Sequence, residues 1–109
     1  MDEIIYSSAT NLVNLLKKKE ISSLELTKLF LDQIEKVNDK INAIVKVNEN
    51  VLKEAKKLDD NYEKYKDKKL FGLAVTIKDS IDTKGIVTTG VTKGRKNYVP
   101  KEDASVVKK

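Results

Sequence analysis

Leu70-Phe71-Gly72-Leu73-Ala74-Val75-Thr76-Ile77-Lys78-Asp79-Ser80, followed by Ile81-Asp82-Thr83-Lys84-Gly85, is the stretch whose reading decides the fold. It is short, apolar and bounded by turn residues, the pattern of a buried strand. A strand over 73–78 is expected to bury Val75 and Ile77 and then to deliver one ammonium, that of Lys78. Burial disfavours the charged form of lysine and lowers its pKa, by up to ~3–5 units when complete. The chain has no histidine and no cysteine, and a neutral lysine amine is one of the few general bases left without them. The plainer reading is that Lys78 leaves the strand into water as an ordinary solvated lysine.

Downstream, Ile86-Val87-Thr88-Thr89 reads as a second extended stretch, and Gly90 and Gly94 bracket a tightly turned Val91-Thr92-Lys93. Asp103 is placed to cap a helix containing Ala104, Val106 and Val107. That helix has barely begun at Lys109, and so short a helix is marginal alone. A truncated chain is the expectation.

Upstream the period is helical. Residues 8–19 carry Leu12, Val13, Leu15 and Leu16 on one side and end in Lys17-Lys18-Lys19, where cations oppose the negative end of the helix dipole. Ser22 and Glu25 have the spacing of a capping box. They open a helix whose Leu26, Leu29, Phe30, Ile34 and Val37 mark one buried face, and which is expected to stop near Asn38-Asp39. Ile41–Val47 reads as extended, and a third helix is expected from about 48 to 65, burying Val51, Leu52, Ala55, Leu58 and Tyr62.

Composition narrows the chemistry. With 109 residues, 39% hydrophobic and 36% charged, the chain is one small domain or a piece of a larger one. No apolar run is long enough to span a bilayer, and Met1-Asp2-Glu3 is unlike a signal peptide. The absence of cysteine excludes disulfides and fits a reducing cytosol, so a cytoplasmic location is expected. Without histidine as well, neither a usual zinc site nor a Ser-His-Asp triad can be built. No metal and no cofactor is expected. Net charge is +5, yet Arg95 is the single arginine among 22 basic residues. Base readout and phosphate clamping favour arginine, so the lysines read as solvated helix faces rather than as a nucleic-acid patch. No Gly-rich phosphate loop is present, since Gly90-Val91-Thr92-Lys93-Gly94 lacks the P-loop spacing.

Five blocks then occur in a telling order. They are Glu20–Thr27, Lys40–Val45, Gly72–Ile81, Thr83–Thr89, and Asn97–Pro100 with Asp103–Val107. In that order they resemble the N-terminal part of the amidase signature family, with wording closest to the A subunits of the amidotransferases acting on glutamyl-tRNA(Gln) and aspartyl-tRNA(Asn). The resemblance implies an α/β fold, helices followed by the first strands of a mixed sheet. It divides the chain into a helical segment, residues 1–69, and the start of the α/β amidase core, residues 70–109. It further implies that Lys78 is the catalytic lysine of a Ser–cis-Ser–Lys group and that the substrate is an amide such as that of glutamine. The expected partners are a complementing chain or further amidotransferase subunits, with tRNA met only indirectly and no membrane.

Both family serines lie in a Gly/Ser-rich signature well downstream of the lysine, and no such segment occurs here. The serines present are Ser7, Ser8, Ser22, Ser23, Ser80 and Ser105. Ser22 is spent as a helix cap, and Ser80 sits ~6–7 Å along an extended chain from Lys78, too far for direct proton transfer. The chain carries a base and lacks its nucleophile, so no activity is expected from it alone. Three positions depart from the family pattern: Ala74 for a proline, Ser80 for an asparagine, and Gly90-Val91-Thr92 for a small-Gly-Ser step. Val91 in place of glycine is strained wherever φ is positive. The alternative to an enzyme fragment is a non-enzymatic interaction module that uses its amphipathic helices.

Overall fold

A computed structural model describes residues 2–109. In chain order the elements are α1 (Asp2–Ile5), α2 (Ala9–Lys17), α3 (Ser23–Ile41), α4 (Val51–Asp60), α5 (Tyr62–Tyr65), a 3-10 turn (Lys93–Arg95) and α6 (Ser105–Lys108). They fall into two units. One comprises the chain up to Ile44 together with Glu49–Ala74, the other Val45–Asn48 together with Val75–Lys109.

Local chemistry sets the helix ends of the first unit. Ser8 Oγ accepts from Asn11 N at 3.2 Å and starts α2. That helix closes in a Schellman motif, with Glu20 N donating to Leu15 O and Lys19 N to Leu16 O. Lys19 takes the left-handed position at φ 57°, and its ammonium lies 4.1 Å from the centroid of the Tyr62 ring. The capping box that opens α3 is complete: Glu25 N donates to Ser22 Oγ at 3.0 Å and Ser22 N to Glu25 Oε2 at 2.8 Å. Those donors, the backbone N–H of Ser22 first, hold the Glu25 carboxyl below its ordinary value. α3 runs past the expected stop to Ile41, because Asn42 can adopt the left-handed cap at φ 48°. The Asn38 side chain then pins the exit, bonding Ile44 N at 2.8 Å and Ile44 O at 2.9 Å.

The expected single helix over 48–65 is two helices. Asn61 turns its side-chain amide back onto Lys57 O at 2.8 Å, and such local bonding competes with helix continuation. The break lets α5 present Tyr62 inward. Its hydroxyl donates to Lys17 O at 2.5 Å and its ring meets Phe71 edge-on at 5.5 Å. Around them Leu12, Leu16, Leu26 and Phe71 form the buried core, flanked by Leu15, Ile21, Phe30 and Leu58. Leu26 is wholly buried and Leu16 nearly so.

The second unit corrects the expectation of an α/β fold. Among the described residues there is no strand, and no backbone ladder joins 73–78 or 86–89 to a neighbour. Gly85 N donates to Pro100 O at 3.1 Å and Thr88 N to Tyr98 O at 2.9 Å. Pro100 has no N–H to return, so that pairing does not extend into a ladder. A sheet needs partners for its backbone groups on both flanks, and the run 73–78 has none among the described residues. Val75 is accordingly 63% and Ile77 40% exposed, and Lys78 is exposed with them rather than delivered from an apolar enclosure. The expected cap of the last helix is also corrected. α6 starts after Ala104, while the Asp103 carboxylate accepts from Lys84 N at 2.7 Å.

Candidate active site

Lys78 stands at the first position of a turn, its carbonyl accepting from Ile81 N at 2.9 Å. Its side chain forms no ion pair among the described residues. The next residue is held from ten positions away. Asp79 Oδ1 accepts from Thr89 N at 2.9 Å, Oδ2 accepts from the Thr89 hydroxyl, and the Asp79 carbonyl accepts from Gly90 N at 3.0 Å. The Thr89 oxygen is in turn fixed by Val91 N at 3.0 Å. The Thr89 hydroxyl, then its N–H, hold the Asp79 carboxyl below its ordinary range, with a lesser contribution from the nearby Arg95. Asp79 is therefore a carboxylate at neutral pH, and its two oxygens are already spent on Thr89.

The segment that supplies these donors is strained. Gly90 has φ 57° and Val91 φ 64°, a region a β-branched residue rarely adopts. The Val91 side chain is 88% exposed, so no packing offsets the strain. Arg95 closes the far side, 3.4 Å from Asp82 Oδ1 and 4.3 Å from the Tyr98 ring centroid.

The structure brings no serine hydroxyl onto Lys78. Ser22 and Ser8 are spent as caps, the Ser23 hydroxyl donates to Gly72 O at 2.8 Å, and Ser7 Oγ donates to Glu3 O at 2.7 Å. Ser105 begins α6, and Ser80 is exposed in the turn after Lys78. An open depression of about 300 Å³ in the same unit is lined by Asp82, Tyr98, Val99, Pro100, Lys101 and Glu102, away from the lysine. Reading the sequence found Lys78 and missed Asp79 and Thr89. A carboxylate beside the lysine and a Thr-Thr-Gly turn were the signals available, but nothing local pairs positions so far apart.

Comparison with known proteins gives this chain its relatives. The Amidase family matches residues 25–109. The A subunit of the glutamyl-tRNA(Gln) amidotransferase from Thermoanaerobacter pseudethanolicus is 44% identical over 96 residues, 87% of this chain and 20% of that protein. The protein of the same name from Carboxydothermus hydrogenoformans is 41% identical over 109 residues, 98% of this chain and 22% of the relative. That of Clostridium botulinum is 38% identical over 104 residues, 94% and 21% of the two chains. The chain thus spans about a fifth of the length of these curated relatives. No helix among the described residues is long and apolar enough to cross a membrane. Lys78 and the Asp79–Thr89 pair both lie inside the matched span, and the chain belongs to the amidase family.

Proposed function

We propose that these residues are the lysine-bearing N-terminal portion of an amidase of the Ser–cis-Ser–Lys type, with Lys78 as its base. In this reading residues 1–69 are a helical segment ahead of the amidase core that begins at 70. The neutral amine takes a proton through the bridging serine from the nucleophilic serine, whose oxygen attacks the amide carbonyl. The proton passes to the leaving nitrogen, ammonia departs, and water cleaves the resulting ester. The names of the relatives favour glutamine as the amide and a tRNA-linked acceptor on a partner chain as the destination of the ammonia. The proposal rests on one observation above the others: Lys78 closes the Gly72–Lys78 block inside the span that matches the family.

Both serines must come from polypeptide that these 109 residues do not contain, and the same polypeptide must cover Val75, Ile77 and Lys78. The test is a chimera in which this chain replaces the matching fifth of the Carboxydothermus hydrogenoformans protein, with ammonia release from glutamine as the readout. Hydrolysis by the chimera and none by the 109 residues alone is the expected result. An inert chimera that folds and assembles contradicts the proposal. A non-enzymatic interaction module is favoured by one feature, the closed core of Leu12, Leu16, Leu26 and Phe71. That reading predicts a folded chain and an inert chimera.

A further inference from the structure

The strongest feature not absorbed by this reading is the clamp beside the lysine. A carboxylate next to an ammonium along the chain ordinarily pairs with it, and such a pair keeps the lysine protonated. A protonated lysine cannot serve as a base. Here no ion pair forms between Lys78 and Asp79, and both Asp79 oxygens are taken by Thr89 N at 2.9 Å and by the Thr89 hydroxyl. We infer that Asp79 and Thr89 are positioning residues for Lys78: the clamp fixes the turn that carries the lysine and keeps the carboxylate off its ammonium. The inference rests on Lys78 being the base, and it assigns to the neighbouring carboxylate the opposite of the usual role, a charge withheld.

The surroundings support that assignment. Gly90 N holds the Asp79 carbonyl at 3.0 Å and Val91 N holds the Thr89 oxygen at 3.0 Å, so clamp and turn are tied at four points. Of the other charges facing the turn, Arg95 acts on Asp79 through space and is itself held by Asp82 at 3.4 Å. Neither replaces Thr89, because neither donates a hydrogen bond to the Asp79 carboxylate. A threonine hydroxyl and a backbone N–H carry no formal charge, so they can satisfy the carboxylate without adding an ion that would perturb the base.

The test is acetylation of the intact 109-residue chain by acetic anhydride across pH, with the rate at each lysine read by peptide mass spectrometry. Lys84, Lys93 and Lys96 of the same unit serve as internal references. Only the neutral amine reacts, so the profile reports how readily Lys78 gives up its proton. In Thr89→Val, Lys78 is expected to label about two- to fivefold more slowly at pH 8 than in the wild type, the effect of one exposed ion pair. Thr89→Ser, which keeps the hydroxyl, restores the rate. Asp79→Asn combined with Thr89→Val also restores it, because the freed side chain no longer carries charge. A Lys78 rate in Thr89→Val that is unchanged against the references overturns the inference. So does a slowing that persists in the double variant, which would mark a loss of local order alone. No hydrolysis enters the measurement, so failure of the amidase reading and failure of the clamp are separate outcomes.

Discussion

Asp59 on α4 caps α3 from outside: its Oδ1 accepts from Ser23 N at 2.8 Å and its Oδ2 from Leu24 N at 2.9 Å. Two of the orphan donors at a helix N-terminus are thereby met by a carboxylate thirty-five residues away, in the orientation the helix dipole favours. This contact fixes where α4 docks against α3, and the hydrophobic core closes beneath it. Asp59→Ala should lower the urea unfolding midpoint by the equivalent of about 1–2 kcal/mol. Ser22→Ala, which removes only the local cap, should cost about 1 kcal/mol.

Gly72 sits at φ 69° directly over Ser23, and a Cβ there would lie 3.2 Å from Ser23 Cβ and 3.4 Å from both Leu16 methyls. Backbone strain and overpacking act together at this position, each about 1–2 kcal/mol. Gly72→Ala is expected to destabilise the chain by about 2–3 kcal/mol on the same grounds. Equilibrium unfolding in urea checks it, and an unchanged midpoint would mean the Ser23–Gly72 contact does not persist in solution.

Val91→Gly should stabilise the clamp segment. It removes a left-handed β-branched residue, a gain of about 1–2 kcal/mol that is partly offset by about 0.5–1 kcal/mol of glycine entropy. Slower hydrogen exchange at Gly90 and Thr92 is the expected readout, and faster exchange would contradict the strain.

Acid should loosen both units. The carboxyls of Glu25, Glu63 and Asp79 are held below their ordinary values by Ser22 N–H, by Lys66 and by the Thr89 hydroxyl respectively. A carboxyl with a depressed folded pKa stabilises above its unfolded value and loses that contribution as pH falls through the folded one. The ordinary values are 4.5 for the glutamates and 3.8 for Asp79, so stability should be level above about pH 5.5 and decline below it. Glu25→Gln should flatten part of that decline, as measured by urea midpoints from about pH 6 to about pH 3.

These contacts show what could be read from the sequence. The capping box was legible because Ser22 and Glu25 lie three residues apart and the bonds they form are local. The faces of α2 and α3 were legible from periodicity, down to Leu12, Leu16 and Leu26. The strain at Val91 was legible because only glycine tolerates that backbone freely. The sheet was not: Val75 and Ile77 have the composition of a strand, but a strand exists only where another segment accepts its hydrogen bonds, and the described residues supply none. Asn61 hid the break between α4 and α5, because the same residue is tolerated within helices. Asp59–Ser23 and Asp79–Thr89 were hidden for one reason. Each joins residues whose pairing is a product of the fold and not of any local pattern.

Everything proposed for the site depends on Lys78 acting as a base in amide hydrolysis. The decisive variant is Lys78→Ala in the chimera that carries this chain ahead of the remainder of the Carboxydothermus hydrogenoformans protein. Loss of a general base costs ~10²–10⁴-fold, so kcat for ammonia release from glutamine should fall by at least ~100-fold while KM changes little. A kcat within ~10-fold of the parent chimera would show that the proton is taken elsewhere, and would contradict the role given to Lys78.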